Sequence, residues 1–438
     1  MAYQRKRIVR SIAVLLCALL SACSPMPAPE PTATVPPSTP SPTVAPTPRP
    51  TQAPPVTSLP QPTPEPGELV LWAAVTEAQQ EPLRQLIEQV SKSLEIEVQL
   101  ITKSTDALQA DLHAALIADL PLPDLVWGTQ DDLGILARQG LIQPAEDALA
   151  ADQFILATIS GATLDNQRWG TPLAAQGALY LLYNRKLVGE APQTTDALIV
   201  AARNQTTGNR FGLVAAWAEP RWLAAWLNGA GGTTLGGDGQ PTLNTEEMIA
   251  ALNLLKELRR TGPPPPSTYA DGVKLFREGR AAFAIDGDWA IESYRQYTDT
   301  LDLGIAPMPL FSATGRAAAA PLNGIYLMYN ADLAGVQLER AYALANALTQ
   351  PEVQVQIARD LALLPALRAA LADPALHDIP TIVAARVENA TGLPPTQALR
   401  CAWSAISILL PPVLLGEVDQ EDAGRLMQDR ANNCIATP

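Results

Sequence analysis

The sequence predicts an α/β fold, and three observations carry that reading. Apolar runs fit for buried strands recur along the chain, stretches with helical apolar spacing lie between them, and the alternation begins only after a proline-rich segment that cannot build a core. At 438 residues the chain is long enough for two or three domains, because a single apolar core stops growing well before that length.

Residues 1–22 read as an export signal. Arg5, Lys6, Arg7 and Arg10 are basic, and Ile12 to Leu20 form an apolar core too short to remain as a membrane-spanning helix. Leu20-Ser21-Ala22-Cys23 follows directly and is similar to the bacterial lipobox, in which cleavage before the cysteine frees it for acylation. Cys23 is then the membrane anchor. More than one acyl chain is needed, because each buried methylene contributes only about 0.8 kcal/mol. The alternative is an ordinary secretory signal that ends near a cysteine. From Ser24 to Pro66, 17 of 43 residues are proline and most others are Thr, Ser or Ala, which predicts a disordered stalk. Extended as polyproline II at about 3.1 Å per residue, it spans roughly 130 Å at full stretch.

The folded body opens with Glu68-Leu69-Val70-Leu71-Trp72, a buried strand. Leu83, Leu86, Ile87 and Val90 recur at i, i+3, i+4 and i+7 and predict a helix, and Ile96, Val98 and Leu100 alternate with polar neighbours as a second strand. Strand, helix and strand in so short a span imply a right-handed βαβ crossover. A helix from about Asp106 to Ala118 and a strand over Asp124 to Trp127 continue the alternation. Further on, Asn244 with Glu247 reads as the capped start of a helix whose buried stripe is Met248, Ala251, Leu252, Leu255 and Leu258, ended by Gly262 and Pro263. Ala281 to Asp286 and Gly324 to Asn330 read as strands. Near the end, Cys401 and Cys434 flank a turn at Gly416-Glu417-Val418 at nearly equal distances, between helices of roughly Leu399 to Leu414 and Gln420 to Asn432. If those helices pair antiparallel, the cysteines meet and an exported chain oxidises them; the alternative is two reduced thiols.

Composition excludes several classes. Lys and Arg total 30 against 44 Asp and Glu, for a formal charge of −14, which leaves little attraction for nucleic acid. Setting aside the four basic residues of the leader and the stalk's net −1 leaves −17 on residues 67–438, so the body stands off an anionic membrane. His113 and His377 cannot make a three-histidine site and the four cysteines match no zinc spacing, so neither metal nor cofactor is expected. The glycine-rich run Gly229 to Gly237 lacks the Gly-Lys-Ser/Thr of a phosphate loop and reads as a surface loop. Gly-x-Ser-x-Gly is absent and no catalytic constellation emerges, so the chain does not read as an enzyme.

The order of motifs carries a resemblance. Leu69-Val70-Leu71-Trp72, Pro123-Asp124-Leu125-Val126, Leu136-Ala137-Arg138-Gln139-Gly140-Leu141-Ile142, Gly170-Thr171-Pro172 and Leu182-Tyr183-Asn184-Arg185 come in sequence, and Phe276-Arg277-Glu278-Gly279-Arg280 runs on to Asp286-Gly287-Asp288-Trp289. In that order they resemble family 1 of the extracellular solute-binding proteins, the maltose-binding-protein-like receptors of ABC importers, over nearly all of residues 67–438. The resemblance implies a two-lobed type II periplasmic-binding clamshell with hinge strands. Lobe one would hold residues 67–174 and 325–375, lobe two 178–320 and 380–438. Such a monomeric, extracytoplasmic receptor closes on a small solute, a carbohydrate favoured, and delivers it to ABC permease subunits. Carried over residue by residue, Asp131, Gln176 and Glu219 become hydroxyl acceptors and Trp289 and Trp403 become stacking platforms, with Trp127, Trp217, Trp222 and Trp226 in the core or at the rim. Thr76-Glu77, the uncharged Gln176, Arg221 beside Glu219-Pro220, and Ser404 after Trp403 depart from the maltose-type pattern. They leave open a related sugar, an oligosaccharide of different linkage or a polar non-sugar solute. A different class of function is a clamshell sensor or adhesion module that presents a ligand-bound surface to a signalling partner.

Overall fold

The computed structural model describes residues 67–437 except 382–384, 386, 388 and 389, so Cys23, the export signal and the proline-rich segment lie outside the described residues. Leu69–Ala74, buried at every position, takes the interior of a seven-stranded sheet. It pairs in parallel with Val98–Lys103 on one side and Leu125–Thr129 on the other. Helix Glu77–Leu94 connects the first pair, as its apolar period predicts, and Leu108–Ile117, inside the helix expected from about Asp106 to Ala118, precedes the third strand. Beyond Leu125–Thr129 the sheet turns antiparallel: Asn323–Asn330, then Thr171–Gln176, then the two-residue edge Leu364–Pro365. Ile142–Gln143 pairs with the far end of Asn323–Asn330.

A second sheet has four strands in the order Leu303–Pro307, Leu179–Asn184, Ala281–Gly287, Phe211–Ala215. All seven residues of Ala281–Gly287 are buried, which fits its interior place between an antiparallel and a parallel neighbour. The chain passes between the sheets repeatedly. Only Gly177 and Ala178 separate Thr171–Gln176 in the first from Leu179–Asn184 in the second, and the chain returns from Leu303–Pro307 to Asn323–Asn330. The final helices, Gln397–Leu415 and Gln420–Ala436, pack on helix Glu246–Arg259 at the second sheet.

Separate apolar cores form on each sheet, one including Leu71, Trp127 and Leu327, the other Leu181, Trp226 and Phe283. A third gathers Ala175, Ala178, Leu322 and Leu364 at the crossings with Tyr180 and Tyr294. Trp127 and Trp226 are wholly buried, and Trp217 and Trp222 nearly so.

Two local expectations change. The helix expected to cap at Asn244 is capped by Thr245, whose extended backbone lets its side chain accept from the Met248 N–H; the helix runs Glu246–Arg259. Both residue types cap well, and the backbone conformation selects between them. The glycine-rich run is only partly a loop: Gly229 and Ala230 complete helix Pro220–Ala230, with Gly229 packed against Phe311 and Ala318, and the turn begins at Gly231 with φ +99°. At the C-terminus, Gly416 ends helix Gln397–Leu415 in the left-handed conformation, and a disulfide joins Cys401 to Cys434 with 5.6 Å between their Cα atoms.

Candidate functional site

A cleft of about 350 Å³ opens where the strand crossings meet three helix starts. The first is Gln130–Arg138. Its cap, Thr129, holds a reciprocal pair with Asp132: the Thr129 N–H and hydroxyl both donate to Asp132 at 2.8 Å, and Gln109 donates to its other oxygen at 2.7 Å. Asp132 is thereby occupied away from the cleft, and Asp131 faces into it. The Asp131 carboxylate makes no hydrogen bond or ion pair among the described residues. Solvent reaches it from the cleft mouth, yet protein crowds it from behind, and that burial raises its pKa; the Asp132 charge adds to the rise, while Arg221 and Arg400 oppose it. Ile135 and Arg138 follow at i+4 and i+7 from Asp131, so one helix face lines the wall.

The second start is helix Pro220–Ala230, with Pro220 in its first turn and Arg221 directly after. The Arg221 guanidinium donates to the carbonyls of Gly177, at 3.3 Å, and Pro321, one on each strand crossing. Burial lowers its pKa, opposed by the charges of Asp288 and Asp131. Asp288 in turn accepts from the N–H groups of Gly177 at 2.7 Å, Ala178 at 3.3 Å and Trp289 at 2.9 Å. Burial raises the Asp288 pKa; those N–H groups and Arg221 pull it back.

The third start is helix Gln397–Leu415, capped by Thr396. Arg400 and Trp403 lie one turn apart on its cleft-facing side. Trp403 is half-buried, packed against the core of the second sheet. Across the cleft, Arg138 donates to the Pro395 carbonyl at 2.8 Å, and its pKa is lowered by burial and then by the nearby charge of Arg400.

Of the residues singled out from sequence, Asp131 and Trp403 share this cleft. Gln176 ends its strand opposite Asn323, which lines the cleft, but does not itself line it. Glu219 and Trp289 stand apart. Glu219 is exposed and borders a second hollow, about 680 Å³, with Trp217 and Tyr269. Trp289 is 50% exposed; it meets Trp222 edge-on at 6.0 Å between ring centroids, and its Nε1–H donates to the Tyr269 hydroxyl at 3.3 Å. The buried Asp286 carboxylate accepts from Tyr269 at 2.9 Å and Tyr294 at 2.6 Å, fixing this aromatic group. Burial and then the Asp286 charge push the Tyr269 hydroxyl up to about 12. Arg138 and Arg400 were missed from sequence, and Arg221 was noted only as a departure from a pattern. The signal lay in spacing: Arg138 is two turns past Asp131, and Arg400 one turn before Trp403.

The cleft thus offers a free carboxylate acceptor, guanidinium donors and an indole face. No cluster of metal-ligating side chains occurs among the described residues.

Residues 85–384 match the family described as bacterial extracellular solute-binding protein. The maltotriose-binding protein of Pyrococcus abyssi is 27% identical over 319 residues, 69% of each chain. A maltooligosaccharide ABC transporter solute-binding lipoprotein of Streptococcus pneumoniae is 23% identical over 358 residues, 77% of this chain and 83% of its own. The solved maltose/maltodextrin-binding domain MalE from Bdellovibrio bacteriovorus, bound to maltotriose, matches with a TM-score of 0.65 at 27% identity, covering 84% of this chain and 100% of that one. The fold is the two-lobed type II periplasmic-binding arrangement expected from sequence, and the chain, like these relatives, is a binding protein rather than an enzyme.

Proposed function

We propose, on the premise that the chain belongs to the bacterial extracellular solute-binding protein family, that it captures a small carbohydrate in the cleft at its strand crossings and passes it to an ABC import permease. One observation carries this reading. Asp131, from the first sheet's side, and Trp403, packed on the second sheet's core, face one cavity at the crossings. The two halves are residues 67–174 with 325–375 and 178–320 with 380–438. A pyranose presents hydroxyl edges to an acceptor such as Asp131 and a C–H face to an indole such as Trp403.

Gln176, Glu219 and Trp289 do not line this cavity, and they join the same site only on the reading that the halves close. Each lies within two residues of the linked group formed by Gly177, Arg221 and Asp288, and closure of the halves brings them to the solute. Cys23, acylated at the end of the proline-rich stalk, tethers the receptor as a monomer on the outer side of the membrane, within reach of the permease subunits. The relatives' names support the carbohydrate and transporter setting, since they bind maltotriose and maltooligosaccharides.

Isothermal titration of the purified protein with neutral and acidic mono- and oligosaccharides, amino acids and polyamines tests the proposal. Saturable binding of a saccharide, unaltered when recovered, is the expected result. Binding only of amino acids or polyamines, or recovery of a cleaved saccharide, refutes it.

A further inference from the structure

We infer that the cleft selects an anionic saccharide, a sugar bearing a carboxylate or another oxyanion, over neutral maltooligosaccharides; the inference rests on the carbohydrate reading of this cleft. Its first support is a local inversion of charge. Residues 67–438 carry −17, yet among the described residues the charged side chains lining the cleft are Arg138, Arg221 and Arg400 against Asp131 alone. A neutral sugar's hydroxyls also accept from guanidinium groups, but three of those groups against one carboxylate leave the cavity net positive inside an acidic protein, which favours an oxyanion.

The second support is the state of those groups. Arg221 is engaged by two backbone carbonyls and balanced by Asp288 behind it. Arg138 gives one N–H to Pro395. Arg400, exposed to the cleft, makes no hydrogen bond or ion pair among the described residues. A guanidinium has five donors, so Arg138 and Arg400 together hold most of theirs unused. They also sit close enough for the Arg400 charge to act on Arg138, and such like-charged neighbours are eased by an anion between them.

Helix polarity is the third support. Arg221 and Arg400 lie within the first four residues of helices Pro220–Ala230 and Gln397–Leu415, whose positive dipole ends disfavour cations. Arginine there works against helix stability, and an oxyanion bound at Arg400 offsets that cost at its helix start. Trp403, one turn beyond Arg400, supplies the sugar half of the recognition: the indole takes the ring face while the guanidinium fork takes its carboxylate. At about 350 Å³ the cleft lies at the low end of small-molecule sites, roughly 300–1,000 Å³, and suits one or two rings rather than a long chain.

The test titrates the full chain calorimetrically, at low and high salt, with digalacturonate, glucose 6-phosphate, maltose and inorganic phosphate. An acidic sugar should bind about tenfold or more tightly than maltose, with the gap narrowing as salt rises; the tighter acidic probe identifies carboxylate or phosphate as the oxyanion. Arg400→Gln and, separately, Arg138→Gln should each weaken the acidic probe by about tenfold, with melting temperatures confirming that the variants fold. Maltose binding as tightly as either acidic sugar overturns the inference and leaves the receptor intact. Inorganic phosphate binding as tightly as the sugars overturns it in favour of a bare anion site. Indifference of the acidic probe to both substitutions overturns it as well. Binding of no saccharide at all removes the carbohydrate reading beneath it.

Discussion

Gly177 sits at φ +89°, where a side chain is strained, and a Cβ built there stands 2.8 Å from the Arg221 guanidinium. Gly177→Ala should therefore cost about 1 to 3 kcal/mol in chemical denaturation and push Arg221 off its carbonyl partner. The neighbouring Asp288 makes a pH prediction. Its folded pKa is raised, so the native state holds that proton more tightly than the unfolded chain. The contribution of Asp288 to stability thus declines as pH climbs from the ordinary carboxylate value, about 4, through the folded pKa, and recovers on acidification. Asp288→Asn keeps an acceptor for the Gly177 N–H and should remove that decline from melting curves taken just above pH 4; an unchanged pH profile would count against it. In the cleft, Trp403→Ala should weaken saccharide binding by about 1 to 3 kcal/mol in titration calorimetry if the ring carries the sugar face. Asp131 and Trp403 were named only through the resemblance, which carries each over from a sugar-contact position of the family; both line the cleft. The arginine group was not legible in sequence, because three segments far apart in the chain build it and no window of sequence contains two of its members in contact.

Among the elements, Glu77–Leu94 and Glu246–Arg259, whose apolar positions recur on one face, are legible in the sequence to within a few residues, since burial of that face dictates their period. Short strands such as Leu364–Pro365 are not, because two residues carry no period. The cap at Thr245 shows the same limit: adjacent Asn and Thr are equal candidates until the backbone is known. The C-terminal helix pair was readable through its cysteines, whose spacing about a glycine turn is met by the observed disulfide. That bridge closes a loop with a sequence separation of 33 residues, for which chain entropy gives about 3 to 4 kcal/mol. Cys401→Ser should lower stability by that order in denaturant melts, and reducing the wild type should reproduce the loss. Cys401 lies between Arg400 and Trp403 on the same helix, so the substitution should also loosen solute binding.

For the molecule as a whole, the alternation of strands and helices declared the α/β class, whereas the repeated passage between two sheets came only through resemblance, because nothing local in a strand says which sheet it joins. Saturating solute should shrink the radius of gyration in X-ray scattering; no shrinkage with a tight binder would contradict closure. Palmitate labelling should vanish in Cys23→Ala, and persistence of the label would dismiss the lipobox. The two strand passages are not independent: the single Arg221 side chain grips the carbonyl of Gly177 on one and of Pro321 on the other, with its head in the cavity. Neither ribbon can swivel without straining the bond to its twin, which gears them into one axle. Because the gripping group is also a cavity wall, a solute bound there as proposed would compete for the same guanidinium and act on the pivot with no relay in between.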